Sequence, residues 1–204
     1  MSIAIYDSRD QKRQEFFDRA AEGWEDRHYS PELQERVKNL LVSLCLPRGL
    51  RVLDAGCGRG VLIPYLREIL GPEAGLTALD SSAAMLKGAA EKDPLVKTIQ
   101  ARCEEIPLPD AGFGAVICFS CFPHIHDKAA AAAEFCRVLE PGGTAYIIHL
   151  CGSQKINMHH DDFEAVRGDH LPGAEDMKQL FLKAGFQRAS LEDSSERYLF
   201  AAVK

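Results

Sequence analysis

Nine residues constrain this chain more than any others: Val52-Leu53-Asp54-Ala55-Gly56-Cys57-Gly58-Arg59-Gly60. Arg51 to Asp54 reads as a short apolar strand, and Val61 to Leu70 reads as a helix. Between them stand three glycines at alternate positions. Strand, glycine turn and helix form the unit with which open α/β sheets hold nucleotide-like ligands. Glycine has no Cβ, so the chain turns tightly and a ligand can approach the backbone closely. The first turn of the helix also offers unpaired N–H groups.

The rest of the chain repeats the alternation. Apolar strands are expected at Leu76 to Leu79, Val96 to Ala101, Ala115 to Phe119 and Thr144 to Leu150. Helices are expected at Ala83 to Ala90, Ala129 to Leu139 and Met177 to Ala184. Ser81-Ser82 caps the first of these, Pro141-Gly142-Gly143 stops the second, and Gly185 ends the third. Phe186 to Glu192 and Arg197 to Val203 close the chain as two strands, antiparallel because only a short turn joins them. Alternating strands and helices predict an α/β fold, a parallel sheet with helices on both faces. Before it, Gln11 to Ala21 and a helix opened by Ser30-Pro31-Glu32 predict an N-terminal helical cap. The chain has 204 residues and no Pro/Gly/Ser-rich linker, so one domain is expected: a cap over 1–48 and a Rossmann-like core over 49–204.

Composition narrows the partners. A formal net charge of -6 argues against general binding to nucleic-acid phosphates. No run is long and apolar enough to span a membrane, and Met1 to Asp10 has no leader pattern. The seven cysteines lack framework spacing, so reduced thiols in a cytoplasmic protein are expected.

Five stretches in order strongly resemble the class I S-adenosylmethionine-dependent methyltransferases, the type 11 enzymes among them. They are Val52 to Gly60, Asp80, Ile106-Pro107-Leu108, Phe113 to Phe119, and Arg137 to Gly143. The resemblance runs over residues 11–203. It implies a seven-stranded sheet in the order 3-2-1-4-5-7-6 with strand seven antiparallel, and S-adenosyl-L-methionine as cofactor. The competing dinucleotide fingerprint of an NAD(P)-dependent oxidoreductase wants G-x-G-x-x-G, but position 61 is Val.

Cofactor contacts follow on this reading. Asp80 ends strand two, where a carboxylate accepts bonds from ribose hydroxyls; its other role is to cap the next helix. The resemblance gives Asp54, Gly56, Cys57, Gly58 and Gly60 to the methionine half, and Ser81 and Met85 to the nucleoside half. The family commonly has Asp followed by a small residue after strand three. Here Arg102 stands in the Asp place and cannot accept from the adenine amino group, so the contact passes to Glu104 or to backbone groups of Cys103, or the guanidinium stacks on the base. Phe119, at the end of strand four, opens onto the reactive end.

Methyl transfer asks mainly for positioning, because a sulfonium is already activated. A base is needed only where the acceptor keeps its proton. The histidines are the candidates: His124, His126 and His149 lie at or after strand ends, and His159 and His160 lie in the segment that follows. His124 and His149 are the candidate bases, since imidazole titrates near neutrality. Trp24, Tyr29, His124, His149, His159 and His160 are candidate acceptor contacts. Two other readings stand beside these: solvated loop residues, or a metal held by His149, His159 and His160. Cys118 and Cys121 read as small buried or pocket residues pointing to opposite faces of a strand. The nucleic-acid N-methylation signature is absent, its place taken by Ser120-Cys121-Phe122-Pro123, which favours a small-molecule acceptor. The alternative from another class is a regulatory protein that binds the cofactor without turnover.

Overall fold

A computed structural model describes residues 15–19, 21, 23 and 30–204. Trp24, His28 and Tyr29 lie outside the described residues. Seven strands form one sheet: β1 (Val52–Ala55), β2 (Leu76–Asp80), β3 (Lys97–Gln100), β4 (Phe113–Phe119), β5 (Leu139–His149), β6 (Arg188–Asp193) and β7 (Tyr198–Val203). Their order is β3-β2-β1-β4-β5-β7-β6, with β7 antiparallel to both its neighbours, as the resemblance implies.

Among the described residues, six α-helices connect and cover the sheet: α1 (Pro31–Ser43), α2 (Ile63–Leu70), α3 (Ala83–Lys92), α4 (Lys128–Val138), α5 (Ser153–Asp162) and α6 (Ala174–Lys183). Residues 15–19 are helical as well. The helix starts carry the caps that the sequence announces. Ser30 Oγ accepts from Leu33 N–H with Pro31 in the first turn, and Ser82 Oγ accepts from Met85 N–H. Asp127 caps α4 through Ala129 and Ala130 N–H.

Strand alternation divides the core. Leu53, Val116 and Ile147 face one apolar cluster with Phe135, Phe181 and Phe200, beneath α4 and α6. Val52, Ile117 and Ile148 face the other, with Leu41, Ile63 and Leu66 from α1 and α2. Every residue of β1 is buried, as expected of a central strand covered on both sides. The parallel register of β1 with β2 and β4 brings their carboxyl ends to one edge. That edge carries the site.

Two expectations change. The segment after β5 holds a ten-residue helix, α5, rather than loop. Its sequence, SQKINMHHDD, buries only Ile156 and His160, too little for an apolar stripe to announce it. The second concerns β5, which begins at Leu139 and runs through Pro141-Gly142-Gly143. Leu139 pairs with Phe113 before a register shift, so the expected stop lies inside an irregular strand.

Candidate active site

The glycine turn is held from β2. Leu79 O accepts from both Gly56 N–H at 2.8 Å and Cys57 N–H at 3.0 Å. Asp80 Oδ2 accepts from Gly58 N–H at 2.8 Å, and its Oδ1 accepts from Ser82 N–H at 2.9 Å. One carboxylate therefore ties the turn to the start of α3, and its remaining lone pairs can still accept hydroxyl donors. Burial raises Asp80 to about 6, against the pull of the Ser82 N–H bond.

The glycines divide by what surrounds them. A Cβ on Gly56 would lie 2.1 Å from Cys121 Sγ, and one on Gly60 would lie 2.5 Å from Ile63 Cδ1. Both are needed for packing. Gly58 has φ +52, and a Cβ there would meet only Met85 Sδ, at 4.0 Å. Its open side is where a ligand can approach the turn.

Beneath the turn lies Asp54, 1 % exposed, with neither carboxylate oxygen paired to any protein donor. Burial, then Asp80, then Cys121 push its carboxyl well above the usual range. A buried carboxylate of this kind lacks what an ammonium group supplies, a positive charge with several N–H donors.

A group of histidines gathers around Asp169. His124, in the short 3-10 turn 122–124 after β4, donates from Nδ1 to Asp169 Oδ2 at 2.8 Å. His160, on the last turn of α5, donates from Nδ1 to the main-chain carbonyl of Asp169. The two rings are 4.7 Å apart. His149 ends β5 opposite Tyr198 of β7, ring centroids 6.0 Å apart. His149 Nε2 and the Tyr198 hydroxyl are both buried without a partner. Burial, reinforced by His124 and His160 nearby, lowers His149 to about 3. Burial also lowers His160, against its bond to the Asp169 carbonyl.

The helical segment 15–19 touches both ends. Ser82 Oγ donates to the Asp18 carboxylate, and the Phe17 ring stands edge-on to His124 with centroids 5.4 Å apart.

Comparison with known proteins places this architecture. Residues 53–147 match the family model for a methyltransferase domain. Phosphoethanolamine N-methyltransferase 1 of Zea mays is 30 % identical over 175 residues, which cover 83 % of this chain and 34 % of that protein. Malonyl-[acyl-carrier protein] O-methyltransferase of Alcanivorax borkumensis is 32 % identical, over 92 % of this chain and 65 % of that one. A solved structure of Haemonchus contortus phosphoethanolamine N-methyltransferase 2, with phosphomonomethylethanolamine and S-adenosylhomocysteine, superposes with a TM-score of 0.76. It is 20 % identical, over 98 % of this chain and 61 % of that chain, and shows the shared fold. Residues 53–147 belong to the methyltransferase-domain family. It spans about a third of the length of the maize relative.

Within this methyltransferase fold, the residues singled out from sequence fall into three groups. Asp54, Gly56, Cys57, Gly58, Gly60, Asp80, Ser81 and Met85 sit on or beside the turn. Phe119 is buried at the end of β4. The side chains of Cys103 and Glu104 have protein partners. Glu104 Oε1 accepts from Arg102 Nη2 at 2.7 Å and from His126 and Asp127 N–H at 3.2 and 3.4 Å. Arg102 thus braces Glu104, which fastens the approach to α4. Cys103, Cys118 and Cys121 are hydrogen-bonded together, and the bonds to Cys103 and Cys118 push the Cys121 thiol below its ordinary range. This corrects the opposite-face expectation: β4 ends at Phe119 and Ser120 has φ +51, so Cys121 turns back beneath the glycine turn.

Of the histidines, 124, 149 and 160 converge and 159 does not. His159 is exposed and packs on Phe163, ring centroids 4.6 Å apart. The metal set of His149, His159 and His160 is therefore not assembled, and no such cluster is present among the described residues. No helix among them is long and apolar enough to cross a membrane. Sequence reasoning passed over Asp169, Tyr198, Phe17 and Asp18. Asp169 follows a glycine in an irregular segment, and only the fold brings it under His124.

Proposed function

We propose that this protein transfers the methyl group of S-adenosylmethionine to a small-molecule acceptor. The observation that carries the reading is the buried Asp54 carboxylate, without a partner among the described residues, four residues before the open position at Gly58. The cofactor would supply an activated methyl group on a sulfonium. Asp54 would take its ammonium, the backbone of the turn would lie against its chain, and Asp80 would accept from its ribose hydroxyls. Met85 would pack against the nucleoside. The relatives named above carry phosphoethanolamine and malonyl-carrier acceptors in their names, and both classes are small next to a nucleic acid.

His124 serves as base in this reading. Its Nδ1 is engaged by Asp169, which leaves Nε2 to receive a proton from the acceptor. Residues 1–48 would act as a cap over 49–204 within one domain, and the Phe17 and Asp18 contacts support that arrangement.

The test is release of S-adenosylhomocysteine from S-adenosylmethionine across phosphoethanolamine, malonyl thioesters and simple amines, alcohols and thiols. Turnover of one class, reduced about 100-fold by His124→Asn, is expected. Tight binding of the cofactor with no turnover anywhere would favour the regulatory alternative instead.

A further inference from the structure

We propose that Asp169 is a positioning residue that makes acceptors of His124 and His160, and that the site therefore takes a methyl acceptor bearing a protonated amine. The inference rests on the methyltransferase reading above. Asp169 is 7 % exposed and lies between the 3-10 turn 164–166 and α6. It uses two different atoms on two different rings. Its carboxylate Oδ2 holds His124 Nδ1 at 2.8 Å, and its main-chain carbonyl holds His160 Nδ1. Neither oxygen can donate, so each ring carries its proton on Nδ1. Each Nε2 lone pair then points away from Asp169, and the two rings are only 4.7 Å apart. His149 adds a third imidazole, its buried Nε2 without a protein partner.

The lone pairs of His124 and His160 select the ligand. A thiolate or carboxylate would set lone pairs against lone pairs. A hydroxyl offers one donor. A primary ammonium offers three donors and a positive charge to stand beside the Asp169 carboxylate, while burial disfavours charge on His149 and His160. The Phe17 ring, 5.4 Å from that of His124, adds an aromatic neighbour suited to a cation. In the reaction, His124 Nε2 takes one proton from the ammonium and becomes imidazolium. The freed nitrogen lone pair forms the N–C bond as the methyl–sulfur bond breaks, and that bond's electron pair stays on sulfur as a thioether. The product is a secondary ammonium.

The first test reads tautomers in the full chain, labelled with 15N-histidine and saturated with S-adenosylhomocysteine, at about pH 8. Both His124 and His160 are expected with the proton on Nδ1. In Asp169→Ala the carbonyl remains, so His160 keeps its tautomer and His124 loses its own. A proton on Nε2 of His124 in the wild type would overturn the positioning role, as would both rings changing together in the variant. The second test measures methylation of primary amines, each paired with the alcohol of the same skeleton. Amines are expected to react, with kcat falling about 100-fold in Asp169→Ala and KM changing far less. Methylation of alcohols but not amines would overturn the acceptor class, as would binding of S-adenosylhomocysteine with no amine methylated. Failure of the wild type to bind S-adenosylhomocysteine would instead overturn the methyltransferase reading, and the tautomers, read in the ligand-free chain, would still judge Asp169.

Discussion

Two buried titratable residues carry opposite pH signatures. Asp54 has its carboxyl raised by burial, so the folded protein holds that proton to higher pH than the unfolded chain. Its contribution is present below the unfolded value near 3.8 and is lost as pH rises through the folded value. Asp54→Asn removes that loss. At alkaline pH the ligand-free variant should melt above wild type, by about 2–4 °C for each kcal/mol relieved, and the gap should close toward pH 4. His149 runs the other way. It is lowered from 6.5 to about 3, so its contribution is intact above 6.5 and is lost as pH falls through that window. Acidifying below 6.5 should cost the wild type up to about 1.4 kcal/mol per pH unit on this account, read by urea denaturation. His149→Phe should flatten that limb.

The β1–turn–α2 element separates folding from binding at two glycines. Gly60 has φ +80, and a Cβ there would lie 2.5 Å from Ile63 Cδ1 and 3.0 Å from Ala89 Cα. Gly60→Ala should destabilise the protein by about 2–4 kcal/mol in chemical denaturation. Gly58→Ala meets open space and should cost about 1–2 kcal/mol from its backbone angle alone, yet a methyl on the ligand side should weaken binding strongly. Legibility at this scale followed the strength of local signals. Ser30-Pro31, Ser82 and Gly185 fixed helix ends that the structure keeps, because caps and left-handed glycines act within a few residues. Helix α5 escaped because its register shows almost no apolar face. The Arg102 pair and the two loop N–H groups that engage Glu104 could not be read locally, because they follow from tertiary placement.

At the scale of the molecule, alternating apolar strands and helices made the parallel sheet readable and the short last turn made the terminal hairpin antiparallel, whereas the strand order came from the family resemblance. The residues proposed for the cofactor could be nominated from local pattern, since they lie within one β1–turn–α2 unit and the following strand end. The residues proposed for the acceptor were harder to nominate. His124 and His149 stand at strand ends, but the residue that organises His124 and His160 lies 45 positions beyond His124. No local pattern marks such a pair. The central claim is that Asp54 and the glycine turn hold S-adenosylmethionine and its demethylated product. Isothermal titration of the wild type and Asp54→Asn with S-adenosylhomocysteine tests it most directly. The account predicts one-to-one binding by the wild type, weakened at least about tenfold by the substitution. Absence of binding to the wild type, or equal affinity for both proteins, would contradict it.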